Sequence, residues 1–443
     1  VNDAPPASRT WAIVGGGLLG LTLALRLRQA GHEVEVFEAA PSLGGLADAW
    51  EFGGIRWDRH YHVTLLSDLR LRALLEDLGL EQDMVWKETR TGFFTGGRWH
   101  SMSSSVEFLR FPPLNLVEKF RLGATIFLAS KRRDWRRLEQ IPVDRWLTAW
   151  SGRGVFEKIW RPLLRAKLGD SYRDASAAFI WAIIARMYAA RQSGLKKEMF
   201  GYLQGGYGRL LSVFQERLEA SGVRLHPAHP VSAVRRAADG LEITFADGSA
   251  RRFREVVLTG PSPAAARLAP DLTESERAAL EAIRYQGIVC VSLLLRRPLR
   301  GFYVTNITDD GLPFTAVIEM TSLVDPETFG GQTLVYLPKY VAPDDPLFAE
   351  PDDAIVARFT EGLRAMIPDL LPEEVLAARV SRVRHVFPLS TIGYSSRVPP
   401  TATSVPGLHV VNSSHILHGT LNVNETVALA ERAARELANL PRA

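Results

Sequence analysis

A chain of 443 residues, 46% hydrophobic and 23% charged, has room for two or three domains and the composition of a protein that buries a full core. Its net charge of +4 is too mild a basic balance to argue for a nucleic-acid partner. Its one cysteine, Cys290, sits in the apolar run IVCVSLLL. That excludes an internal disulfide framework and cysteine-type zinc clusters, so no metal is expected.

The opening VNDAPPASR has no apolar signal core, and no window reaches the roughly 18 uncharged apolar residues of a spanning helix. The expected location is cytoplasmic or at a membrane surface. Trp11 to Val14 reads as a buried strand that breaks into Gly15, Gly16, Gly17, Leu18, Leu19 and Gly20. A helix runs from there to Gly31, and a second strand, Glu33 to Phe37, ends on Glu38. In this G-x-G-x-x-G pattern Gly15 allows the tight turn and Gly17 lets backbone approach a pyrophosphate. Gly20 lets the helix pack closely on the strand. The free N–H groups of the helix start, at Leu18 and Leu19, suit phosphates, and Glu38 is placed to accept from the hydroxyls of an adenosine ribose.

Gly44-Gly45 is a second turn of the phosphate-proximal kind, followed by alternating charged and aromatic residues that suggest a short strand or hairpin. Leu69 to Leu80 is helical, and residues 86 to 112 read as short strands and turns. From Leu114 to Arg191 the pattern is almost entirely helical, an inserted subdomain whose most amphipathic part is LVEKFRLGATIFLASKRRDWRRL. Within it Lys131, Arg132, Arg133, Arg136 and Arg137 surround Trp135, which suits either a solvated helix face or a patch that meets anionic lipid or a phosphorylated substrate.

Gly205-Gly206 introduces a helix over Leu210 to Ala220, with no strand expected before it. Short strands around an Asp247-Gly248 turn form a meander, and a return strand ends at Leu258. Residues 285 to 385 alternate strands (Gly287 to Leu295, Thr315 to Met320, Thr333 to Pro338) with a helix near 352 to 366. Leu408 to Val411 and a helix from Val423 to Leu440 close the chain. There is no internal repeat.

Together these marks resemble the superfamily of flavin amine oxidases, phytoene desaturases and protoporphyrinogen oxidases, over essentially the whole chain. The resemblance implies an α/β fold: a Rossmann-like FAD-binding domain with a discontinuous substrate domain made of a mixed sheet and an inserted helical subdomain. The FAD-binding parts are 1–85, 199–284 and 385–443; the substrate parts are 86–198, mostly helical, and 285–384, sheet-based. FAD is the implied cofactor, held by Gly15, Gly17, Leu18, Leu19, Gly20, Glu38, Ala39, Gly44, Gly45, Leu46, His60, Tyr61, Val231, Asn412, Asn422 and Val423. Val231 matches the position that hands backbone to the adenine. Asn422 and Glu425 have N-cap and N3 spacing, which marks a helix start facing the flavin.

Two departures stand out. The family's Gly-Gly-Arg has become Gly45-Leu46, and its C-terminal Gly-Asp has become Asn412-Ser413. The segment Trp57-Asp58-Arg59-His60-Tyr61-His62 is similar to flavoproteins of sugar and glycan biosynthesis, and loosely to galactopyranose mutases.

The implied reaction is hydride transfer from an apolar or lipid-linked substrate, with or without a sugar, onto flavin N5; oxygen or a quinone-like carrier then takes the electrons. Alternatives are an amine oxidase that releases hydrogen peroxide, a non-redox mutase that needs reduced FAD, and a flavin-fold binding protein without activity. His60 and His62 are the candidate catalytic bases, because histidine titrates near neutrality and the two share a face of an alternating segment. His415 and His418 are weaker candidates. Lys339 resembles the flavin-proximal lysine of amine oxidases, although a surface lysine is the plainer reading.

Overall fold

The computed structural model describes residues 9–191, 199–417 and 419–439; the N-terminal octapeptide, His418 and Leu440 lie outside them. Strand β1 (Thr10–Val14), helix α1 (Leu18–Gln29) and strand β2 (Glu33–Phe37) form a parallel β-α-β unit. Three later strands, β3 (Arg224–His226), β4 (Glu255–Leu258) and β5 (Leu408–Val410), complete an all-parallel sheet of order β3-β2-β1-β4-β5. Its middle strands are apolar on both faces because helices cover them. Helix α1 packs on one face together with α2 (Val423–Ala438), and the meander 231–253 covers the other.

The second large sheet has seven strands in the spatial order 375–388, 285–295, 333–341, 316–319, 304–307, 91–95 and 98–101. Its neighbours are antiparallel except for 304–307 and 91–95, so it is mixed. Tyr285–Leu295 is buried along its whole length, which is why it reads as a continuous apolar run. Cys290 lies there, fully buried, and burial pushes its thiol well above its usual range. Helices from Ser105–Arg110 to Ala177–Arg191 form a separate cluster around Trp146, Trp160 and Leu164. The helix Arg161–Leu168 in this cluster follows a π turn at Phe156–Trp160.

Several segments differ from the sequence reading. Residues 105–110 are helical, started by a capping box between Ser104 and Glu107. A strand, Met199–Leu203, does precede Gly205-Gly206, and it pairs antiparallel with 64–65 and 84–88. It is outside the parallel sheet, so this glycine pair does not open a second nucleotide-binding unit. The strand Val375–Pro388 was not anticipated, because Arg379, Ser381, Arg382, Arg384 and His385 interrupt its apolar residues and leave no long apolar run.

The β1–α1 turn is set by contact distances. A Cβ on Gly20 would lie 2.0 Å from the Gly15 carbonyl oxygen, and one on Gly15 would lie 2.3 Å from Thr259 Oγ1. Gly20→Ala is therefore expected to cost about 1–3 kcal/mol. It would lower the thermal midpoint and the bound flavin per chain; an unchanged midpoint would show that the helix can shift freely.

Candidate active site

One cavity of about 620 Å³ runs from the nucleotide sheet to the space between the seven-stranded sheet and the helical cluster. At its sheet end it is lined by Gly15, Gly17, Leu18, Leu19, Glu38 and Ala39, with Val231 from the meander. Gly44, Gly45 and Leu46 line it next, then His60, Tyr61 and His62, and Asn422 with Val423 at the start of α2. Gly20 and Asn412 are not among the lining residues. Gly20 is spent on the helix–strand contact. Asn412 is buried behind the wall, where Nδ2 donates to Gly260 O at 2.9 Å and Oδ1 accepts from Ser414 N at 2.9 Å; its neighbour Ser413 lines the cavity instead.

The residues fit a dinucleotide. No side chain caps the N-terminus of α1 and no acidic residue lies in its first turn, so its amides and dipole are available to a phosphate. The nearest atom to a Cβ on Gly17 would be 3.9 Å away, so a side chain there would project into open space that backbone can instead offer to a ligand. The Gly44 amide donates to Gly16 O at 2.8 Å, which brings the second glycine pair against the first. Glu38 accepts from Gly16 N at 2.7 Å through Oε2 and from Ala40 N at 2.8 Å through Oε1. Each oxygen keeps a second lone-pair direction for a ribose hydroxyl. Asn422 Oδ1 accepts from Glu425 N at 3.0 Å, the N-cap half of the expected pair.

The profile of the family described as flavin containing amine oxidoreductase matches residues 20–438. The chain belongs to that family. It is a flavin-dependent oxidoreductase, and its cofactor is FAD. A curated relative, zeta-carotene desaturase from Synechocystis, is 26% identical over 412 residues, covering 81% of this chain and 82% of its own. Two solved structures share the fold. The structure titled putative protoporphyrinogen oxidase from Exiguobacterium has TM-score 0.76 at 21% identity and covers 98% of this chain and 99% of its own. Reduced UDP-galactopyranose mutase has TM-score 0.76 at 16% identity, with 98% and 97% covered.

In this flavoenzyme the two histidines have different surroundings. His60 is buried; Nε2 lies 2.9 Å from Ser381 Oγ and Nδ1 3.4 Å from Leu46 O. Burial, with the charge of His62 and Arg59 nearby, takes its pKa down to about 3. Burial thus favours its neutral form, which weighs against the part of a base expected of it.

His62, the other candidate base, lies beside a carboxylate. Its ring centroid is 4.6 Å from that of Tyr207 with the planes tilted by 40°, and its Nδ1 is 3.6 Å from Asp58 Oδ2, with no hydrogen-bond partner for that nitrogen. Asp58 is buried and held by Tyr207 N at 2.7 Å. Gly206 is required there: a Cβ at that position would be 2.8 Å from Asp58 Oδ1.

Lys339 does not reach this cavity. It faces a separate pocket with Asp345, Glu350 and Arg358, half-buried, and burial lowers its pKa. The next residue, Tyr340, lines the active cavity, because successive side chains of a strand point to opposite faces. His415 is buried behind Asn412 and bonded to Pro399 O at 3.1 Å, away from the lining. Sequence reasoning missed Lys167, Arg186, Tyr340 and His385, which line the chamber from the helical cluster and the sheet. Among the described residues no group of three or more His, Cys, Asp or Glu could hold a metal.

His60 folds with a pKa below its unfolded value of 6.5, so the unfolded chain binds more protons between pH 6.5 and about 3, and stability falls on acidification through that window. The loss from this residue is about 1.4 kcal/mol per pH unit. Denaturation at pH 7 and pH 5 is expected to show a shallower acid loss in His60→Gln than in wild type. Equal slopes would mean that His60 is not the group responsible.

Proposed function

We propose that the protein oxidises a large apolar or lipid-linked molecule, with or without a sugar, by passing a hydride from a substrate carbon to flavin N5. Oxygen or a quinone-like carrier then takes the electrons. The observation that carries this reading is the single cavity that joins the dinucleotide cradle to a chamber walled by Val63, Ile288, Val386 and the Tyr61–Tyr340 pair. The zeta-carotene desaturase relative is by name an enzyme of an apolar substrate, which supports the same class. Gly17, Leu18, Gly44 and Gly45 hold the pyrophosphate, Glu38 and Val231 the adenosine, and Tyr61, Asn422 and Val423 the flavin. His62, oriented by Asp58, accepts the proton that leaves with the hydride, and the apolar walls exclude water.

A membrane contact belongs to this reading. Of the twelve large apolar side chains exposed among the described residues, seven lie between 106 and 128, including Leu116 at 75% and Phe120 at 78% exposure. On the helix Leu116–Lys131, the residues Leu116, Phe120, Phe127 and Leu128 form an outward face, while Leu122, Thr125 and Ala129 pack inward. Lys131, Arg132 and Arg133 are exposed at its end. Apolar residues turned to solvent beside cations match the interface of an anionic bilayer. No helix among the described residues is long and apolar enough to cross a membrane.

The first test is the visible spectrum of the purified protein, followed by anaerobic reduction and exposure to air or a quinone. Flavin bands released on denaturation are expected, and a colourless protein that cannot be reconstituted with FAD overturns the reading. Once a substrate is in hand, His62→Asn is expected to lower kcat by about 10²–10⁴-fold with flavin content unchanged. Co-sedimentation with phosphatidylglycerol vesicles tests the surface. Leu116→Glu with Phe120→Glu should release the protein, since each buried apolar side chain contributes about 1.5–3 kcal/mol. Glutamine at Arg132, Arg133, Arg136 and Arg137 should weaken binding, and unchanged sedimentation of both variants would leave this face merely solvated.

A further inference from the structure

The chamber end of the cavity has an uneven charge. Its lining includes the cations Lys167 and Arg186, whereas the only carboxylate on the whole described lining is Glu38, at the nucleotide end with both oxygens already bonded to backbone. Arg186 is matched: Asp68 accepts from its Nη2 at 2.8 Å and from its Nε at 3.3 Å. Lys167 has no ion pair among the described residues. Its Nζ lies 4.7 Å from the Tyr340 ring centroid and 5.4 Å from that of Phe387.

Those rings attract the ammonium but bring no countercharge. A neutral chain filling the chamber would strip water from Lys167 and leave a covered, uncompensated cation, and a substrate ammonium would meet like charge. Beside it the Tyr61 and Tyr340 hydroxyls are 2.7 Å apart. One donates to the other, so one hydroxyl proton remains to be given to an acceptor.

Resting on the reading of this space as a flavoenzyme's substrate chamber, we propose that Lys167 is the countercharge for an oxyanion, a carboxylate or phosphate, carried by the substrate. The molecule is then an anionic amphiphile, with its apolar body against Val63, Ile288 and Val386. Its charged group meets Lys167 and the spare tyrosine proton. A lysine serves such a group as a point charge on a flexible stem.

The test uses the purified holoenzyme and follows flavin difference spectra during titration with farnesyl phosphate, oleate, farnesol and oleylamine. At least one of the two anions is expected to bind about tenfold or more tighter than farnesol, and which one does so distinguishes phosphate from carboxylate. Lys167→Gln should bring that advantage to within about twofold while flavin content and farnesol affinity stay unchanged, and Lys167→Arg should retain most of it. Equal affinities for farnesol and both anions, a preference for oleylamine, an advantage that survives Lys167→Gln, or no spectral response to any probe overturns the proposal. A Lys167→Gln variant that only melts earlier shows a lysine that serves the C-terminal carbonyls of its own helix. A protein that takes up no FAD fails differently: it removes the flavoenzyme reading, and this proposal with it.

Discussion

The buried carboxylate of Asp58 holds the two halves of the molecule in register. Its Oδ1 accepts from the Tyr207 amide at 2.7 Å, inside the first turn of the helix Gly206–Ala220, and its carbonyl accepts from Tyr336 Oη at 2.6 Å on the seven-stranded sheet. A carboxylate out of water must find donors or be neutralised, and a helix start supplies both an N–H and a favourable dipole. The same group faces His62. A residue that positions the candidate base is therefore also the fastening between cofactor fold and substrate sheet, and the distance between base and chamber is set by packing on both sides.

The cavity built on that fastening is polar at one end and apolar with cations at the other. At the nucleotide end the wall is largely backbone: the uncapped start of α1, glycine turns, and one carboxylate bonded to the Gly16 and Ala40 amides. At the chamber end side chains take over, from elements distant in sequence. Helix Arg161–Leu168 brings Lys167, the strand Thr333–Val341 brings Tyr340, and the strand Val375–Pro388 brings His385. The exposed apolar face of 116–131 belongs to the same helical cluster as Lys167. An apolar surface outside and a lysine inside without an ion pair among the described residues are consistent features for a molecule with a greasy body and an anionic group.

Much of the nucleotide half was legible in the chain. The strand–glycine–helix–strand order, the acid after β2, the meander and the helix beginning at Val423 depend on local pattern and turn chemistry, which sequence states directly. The chamber was much less legible. His60 and His62 are two positions apart in one motif, yet deep burial lowers the pKa of the first, while the second lies 3.6 Å from the Asp58 carboxylate. Lys339 and Tyr340 are adjacent, and only the pairing of their strand decides which one turns to the cavity.

The helix 116–131 shows the same division. Its apolar periodicity was plain, but periodicity tells that a helix has an apolar stripe and not whether a core or a bilayer covers it. By itself the sequence determined the family, the dinucleotide cradle and the helical insertion, because those are encoded in short-range patterns of glycine, charge and hydrophobicity. The tertiary structure decided which ionisable groups share the chamber, which of them lack a partner, and which apolar face remains uncovered. Those properties arise from contacts between residues far apart in the chain, and burial and countercharge exist only once such contacts are made.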